Sequence, residues 1–211
     1  MATRTYRLLW LLPPLLLSLA VVASVMAWPH LPARMPIHWG ISGEPTGLAP
    51  KGFAVAMLPA IMVWVGAILG LILWSATRMN EGPLPAWLPP TVIAATLGLF
   101  LVMHLALIAT GLGWPVSLPM VTYVGMGLCL VGMGRIIRSM PANCAIGVRT
   151  PRTLSDPAAM ERANRVAGRG LVVAGVLTAL AAPLPGAWPF AVAIISLLSM
   201  TIMAGRAARG A

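Results

Sequence analysis

Three groups of residues in this chain have types and spacings that invite chemistry. The first is Leu31-Pro32-Ala33-Arg34-Met35-Pro36-Ile37-His38-Trp39-Gly40-Ile41-Ser42-Gly43-Glu44-Pro45 with His30 just before it, and His30, His38 and Glu44 are potential metal ligands. Their spacing follows no recognised metal pattern, so a structured interfacial loop is the simpler reading. The second is Asn143-Cys144-Ala145-Ile146-Gly147-Val148-Arg149-Thr150-Pro151-Arg152-Thr153-Leu154-Ser155-Asp156-Pro157. Here the Arg149 guanidinium can fork two hydrogen bonds to a carboxylate, a phosphate or backbone carbonyls. A blander role is open as well, in which Arg149 and Thr150 pin this segment to the helix ends. The third is His104, an ionisable residue near the middle of an apolar run. Such a residue is either functional or a neutral imidazole bonded to a neighbouring helix. No Ser/His/Asp, Cys/His or paired-carboxylate set accompanies these groups, and no glycine-rich phosphate cradle does. The sequence therefore offers no positive case for catalysis, a metal or a cofactor.

The elements that must position these residues belong to a membrane. Of the 211 residues 59% are apolar and only 9% are charged, against about 25% charged in a soluble domain. In lipid the backbone must satisfy its own hydrogen bonds, which favours helices of about 20 mostly apolar residues. The expected fold is all-α and polytopic, with about six spans over residues 8–27, 53–75, 91–111, 120–137, 170–182 and 188–205. The last two are short, so a re-entrant hairpin is an alternative for them. The first is too long for the apolar core of a signal peptide and reads as an uncleaved helix, with Pro13-Pro14 near its start. In the second, Gly66 and Gly70 make a small-residue face suited to close helix contact. Residues 1–80 read as a first helical hairpin with an outer loop at 28–52. Residues 81–211 read as a four-helix region with an inner loop at 138–169.

Basic residues orient the chain. With the amino terminus inside, the inner segments hold Arg4, Arg7, Arg78, Arg135, Arg138, Arg149, Arg152, Arg162, Arg165, Arg169, Arg206 and Arg209, and the outer ones hold only Arg34 and Lys51. That bias puts both termini in the cytoplasm. The net charge of +10 is thus a product of membrane insertion, and no aromatic-interleaved basic face suggests direct nucleic-acid binding. Cys129 and Cys144 fall in a span and an inner loop, where neither a disulfide nor a metal pattern is expected.

Asp156-Pro157 reads as an N-cap and first helical position. The helix it starts runs to about Arg169, with Glu161 and Arg165 as a favourable i,i+4 pair. Arg162, Arg165 and Arg169 share one face, while Ala159, Ala163, Val166 and Ala167 share the other, with Met160 and Asn164 at its edge. Such a helix rests on the inner leaflet or against the bundle. Its basic face suits anionic lipid headgroups or an acidic partner.

Together the two polar segments resemble the SdpI family of bacterial membrane proteins. Leu31-Pro32-Ala33-Arg34-Met35-Pro36-Ile37-His38-Trp39, Gly43-Glu44-Pro45 and Lys51 follow that family's outer-loop pattern. Asn143, Ile146-Gly147-Val148-Arg149-Thr150-Pro151-Arg152-Thr153-Leu154, Asp156 and Asn164-Arg165 follow its inner pattern in order and spacing. Two positions depart, with Met160 where the family usually has Trp and Thr46 where it usually has Asp. The resemblance implies a multi-pass protein of the bacterial cytoplasmic membrane that gives immunity to a secreted, membrane-active toxic peptide. It also implies a second role, holding a small transcriptional repressor at the membrane. On this reading Pro36, His38, Trp39 and Gly43 meet the outer ligand. Asn143, Gly147, Arg149, Thr150, Pro151, Thr153, Asp156, Asn164 and Arg165 make the inner contact. The rival reading is a lipid- or small-molecule-binding protein or enzyme in which the inner segment forms a headgroup pocket.

Overall fold

A computed structural model describes residues 2–40, 43–79, 84–140 and 146–209. Asn143 and Cys144 lie outside the described residues. The chain packs as two compact regions, residues 1–122 and 123–211.

In the first region α1 (Ala2–Leu9) leads into α2 (Leu12–Ala27), and the two are separated by a turn at Trp10 and Leu11. Pro13 and Pro14 explain the break: proline suits the first turn of a helix, where its missing N–H is no loss, and not the interior. A 3-10 turn (Trp28–His30) then leads to an antiparallel pair, β1 (Arg34–Trp39) and β2 (Pro45–Pro50). After these come α3 (Lys51–Met79) and α4 (Leu88–Gly111). The α4 helix, grouped by sequence with the later spans, packs on α2 and α3 instead. Beneath the hairpin these helices enclose a core of Ala27, Leu31, Met35, Ala54, Val55, Leu58, Leu107 and Ile108. Elsewhere on α2 and α3 large apolar side chains such as Leu15, Val25, Trp64 and Leu71 stand exposed, as lipid-facing surfaces require.

The second region takes in most of α5 (Leu118–Ser139), then α6 (Pro151–Ser155), α7 (Pro157–Ala181) and α8 (Trp188–Arg209). Five helical stretches among the described residues are long and apolar enough to cross a membrane: Tyr6–His30, Lys51–Ala76, Leu88–Gly111, Leu118–Ser139 and Trp188–Ala208. The amphipathic helix expected to end at about Arg169 and the span expected from Gly170 are one continuous helix, α7. Gly168 and Gly170 do not end it, because both serve close packing. A Cβ on Gly168 would come within 2.5 Å of the Gly134 carbonyl oxygen, and one on Gly134 within 2.5 Å of the Gly168 oxygen. Gly127 and Gly175 touch in the same reciprocal way, so α5 and α7 meet backbone to backbone at two glycine pairs. The Gly66 and Gly70 face behaves differently. Gly66 has only ordinary contact with Leu97, and the space beside Gly70 is open.

Candidate functional site

The outer segment is a hairpin seated on the helix ends. Arg34 stands opposite Pro50 and Trp39 opposite Pro45. The Gly43 N–H donates to the Gly40 carbonyl at 3.0 Å, with Gly43 at φ +91°, a conformation glycine adopts without strain. Met35 is fully buried and acts as the plug. It fits because α4 ends in glycine: a Cβ on Gly111 would lie 2.5 Å from Met35 Cε and 2.9 Å from Leu31 Cδ2. At the other end the Lys51 ammonium donates to the Trp28 carbonyl at 3.2 Å and sits 4.6 Å over that residue's ring, a cation–π contact. Proline at 36, 45 and 50 removes backbone donors from the strands, which discourages edge-to-edge pairing.

The expected outer residues divide by burial. His38 is exposed, and its Nδ1 lies 2.6 Å from the Thr46 hydroxyl. Thr46 occupies the position where the resemblance anticipates Asp, and its hydroxyl orients the imidazole. Trp39 is half-buried and packs against the core cluster with Ile37. Pro36 is half-buried in β1, and Gly43 forms the turn. The arrangement is a compact hairpin surface on which the contact with Thr46 holds the exposed His38 ring.

The inner segment is built around Asn164. This residue is 1% exposed, and its Oδ1 accepts the Val148 N–H at 2.8 Å. Its amide sits where a Cβ of Gly147 would be, and Gly147 adopts φ +120°. The Asn164 Nδ2 has no partner among the described residues. Thr150 and Thr153 form a capping box around Pro151: Thr153 N–H donates to Thr150 Oγ1 at 3.2 Å, and Thr150 N–H donates to Thr153 Oγ1 at 2.8 Å. The buried Thr153 hydroxyl also donates to the Val148 carbonyl at 2.8 Å. Asp156 caps α7 by accepting the Ala158 N–H at 2.9 Å, and it faces Arg162 at 3.8 Å. Arg165 pairs with Glu161 at 3.5 Å. Gly147, Thr150, Thr153 and Asn164 are therefore joined directly or through Val148, Asp156 caps α7 after them, and Arg149 is exposed beside them. Met160 is 4% exposed and fills the apolar face of α7 with Ala159, Ala163 and Ala167.

His104 is fully buried in α4, with Nε2 2.8 Å from Ser24 Oγ and 3.2 Å from the Ala20 carbonyl on α2. Ser24 Oγ itself donates to Ala20 O at 3.0 Å. His104 Nδ1 has no partner among the described residues. The contact is a polar clasp between α2 and α4, one turn below Leu107 and Ile108 of the hairpin's seat.

Sequence reasoning missed two features, the strand pairing and the glycine contacts of α5 with α7. The first had a signal in two short extended runs around a glycine-bearing turn. The second had one in Gly127 and Gly134, seven residues apart, answered by the same spacing in Gly168 and Gly175.

Residues 15–63 match a domain of unknown function (DUF1648), and residues 139–205 match the SdpI/YfhL protein family. The first stretch takes in the hairpin, and the second takes in α6, α7 and most of α8. Over 186 residues the chain is 24% identical to Immunity protein SdpI of Bacillus subtilis (strain 168), covering 87% of this chain and 86% of that relative. No solved structure matches.

Proposed function

We propose that this chain, a membrane protein of the SdpI family, confers immunity on the cell whose cytoplasmic membrane contains it, by countering a toxic peptide that attacks that membrane. The observation that carries the reading is the similarity to an immunity protein along nearly the whole chain. It spans both polar segments, and each is built as a rigid feature rather than a linker. The hairpin holds His38 fixed by Thr46 and anchors itself through Met35 and Lys51. A peptide arriving from outside would thus meet a preorganised surface and lose less entropy on binding. Below that surface, the Met35 seat joins the hairpin to α2, α3 and α4, and the His104 clasp ties α2 to α4, giving a route by which occupancy repacks the bundle.

The test is expression in Bacillus subtilis cells that lack Immunity protein SdpI, challenged with the agent that SdpI protects against. The intact chain is expected to restore survival. A variant carrying His38→Ala and Trp39→Ala should reach the membrane at normal levels and lose protection. Intact chain present in the membrane without protection would overturn the reading for this member.

A further inference from the structure

Within the 123–211 region, glycine contacts fix the levels at which the helices stand against one another. Gly168 lies against the backbone of Arg138, and Gly170 lies against Met200. Because α8 returns antiparallel to α7, Arg206 stands level with residue 164. Arg135, Arg138, Arg169 and Arg206 therefore gather within about 8 Å along the helix axes, at 1.5 Å per residue. All four are exposed, and neither ion pair described above includes them. With the far end of α7 set at one edge of a hydrocarbon layer roughly 30 Å thick, residue 165, about 24 Å along the helix, comes close to the other edge. Guanidinium groups at that depth extend to the headgroups. At the same end α6 packs on α7 and α8. It carries Leu154, 57% exposed, next to the exposed Arg152, the pairing of apolar and basic side chains found in segments that lie in the interface.

We propose that this end of the molecule binds anionic phospholipid headgroups. The four arginines hold lipid phosphates, and α6 rests in the headgroup layer with Leu154 in the acyl boundary. Depth selects lipid over a soluble acidic protein, which would reach these arginines only through the headgroups. The proposal is independent of the immunity reading.

The test uses the whole chain in phosphatidylcholine vesicles doped with spin-labelled phosphatidylglycerol or spin-labelled phosphatidylcholine. Electron paramagnetic resonance reads the motionally restricted fraction of each lipid. The expected preference for phosphatidylglycerol is about fivefold or more, the ratio that one basic residue near an anionic surface supplies. It should fall toward parity in about 1 M salt and in a variant with Arg135, Arg138, Arg169 and Arg206 all changed to Gln. Equal restriction of both lipids by the intact chain overturns the proposal and leaves the arginines to a protein partner. An undiminished preference in the glutamine variant overturns it too. With Cys129→Ser and Cys144→Ser, a nitroxide on Leu154→Cys should be shielded from an aqueous nickel reagent in phosphatidylglycerol vesicles. Full accessibility there removes α6 from the membrane surface.

Discussion

At the scale of single residues, Gly147 and Asn164 join the two halves of the inner segment. A side chain at Gly147 would be held at φ +120° and driven into the Asn164 amide. Gly147→Ala is expected to cost about 2–3 kcal/mol, combining left-handed strain with loss of the Val148 hydrogen bond. Asn164→Ala should cost roughly 1–3 kcal/mol, because the Val148 N–H loses its acceptor. Thermal unfolding of the purified protein in detergent measures both. Arg149 behaves oppositely. It is exposed and belongs to neither ion pair, so Arg149→Ala should leave stability within about 0.5 kcal/mol. A larger loss in the same assay would make Arg149 a brace for the loop rather than a contact for something outside it. The sequence singled out the right stretch, since prolines, threonines and an Asp-Pro pair announce caps and turns. The clamp was less legible: an asparagine at the edge of an alanine face declares its burial only once the helix has a neighbour.

At the scale of elements, helix pairing depends on a few glycines, and their importance differs in a way that spacing alone does not reveal. Gly66 and Gly70 follow the familiar four-residue spacing, yet they face ordinary or open space. Gly127, Gly134, Gly168 and Gly175 follow a spacing of seven, which also keeps residues on one helix face, and these bring two backbones together. Gly134→Ala should therefore cost about 1–3 kcal/mol by overpacking. Gly70→Ala should be neutral or stabilise by up to about 1 kcal/mol, because alanine is the better helix former. Equal effects of the two changes would contradict the described crossing. In the hairpin, Met35→Ala removes the plug from its seat and should destabilise that packing by about 2–5 kcal/mol. Hydrogen exchange would report it as faster amide exchange across residues 34–39 and 45–50, with little change in α7. Prolines made this segment readable as extended backbone. The strand pairing was harder to read, because it depends on a register and on a methionine side chain reaching a core assembled from distant helices.

At the scale of the whole molecule, composition alone is enough to identify a helical membrane protein. A chain with 9% charged residues cannot present an ordinary water-facing surface. The count of spans is subtler. α7 carries Glu161, Arg162, Arg165 and Arg169 in its first half, so it does not stand out as an apolar stretch, although it continues unbroken to Ala181 alongside α5 and α8. Its small residues face protein, and its arginines lie at one end, which is why the sequence divided it into two elements.

The functional account depends on the hairpin facing outside and the arginine-rich end facing the cytosol. The direct test replaces Cys129 and Cys144 by Ser, then introduces His38→Cys or Arg149→Cys, one per chain, and treats sealed cells with a membrane-impermeant thiol reagent. Residue 38 should label from outside. Residue 149 should label only after the membrane is opened. Equal labelling of both positions from the exterior would contradict the account.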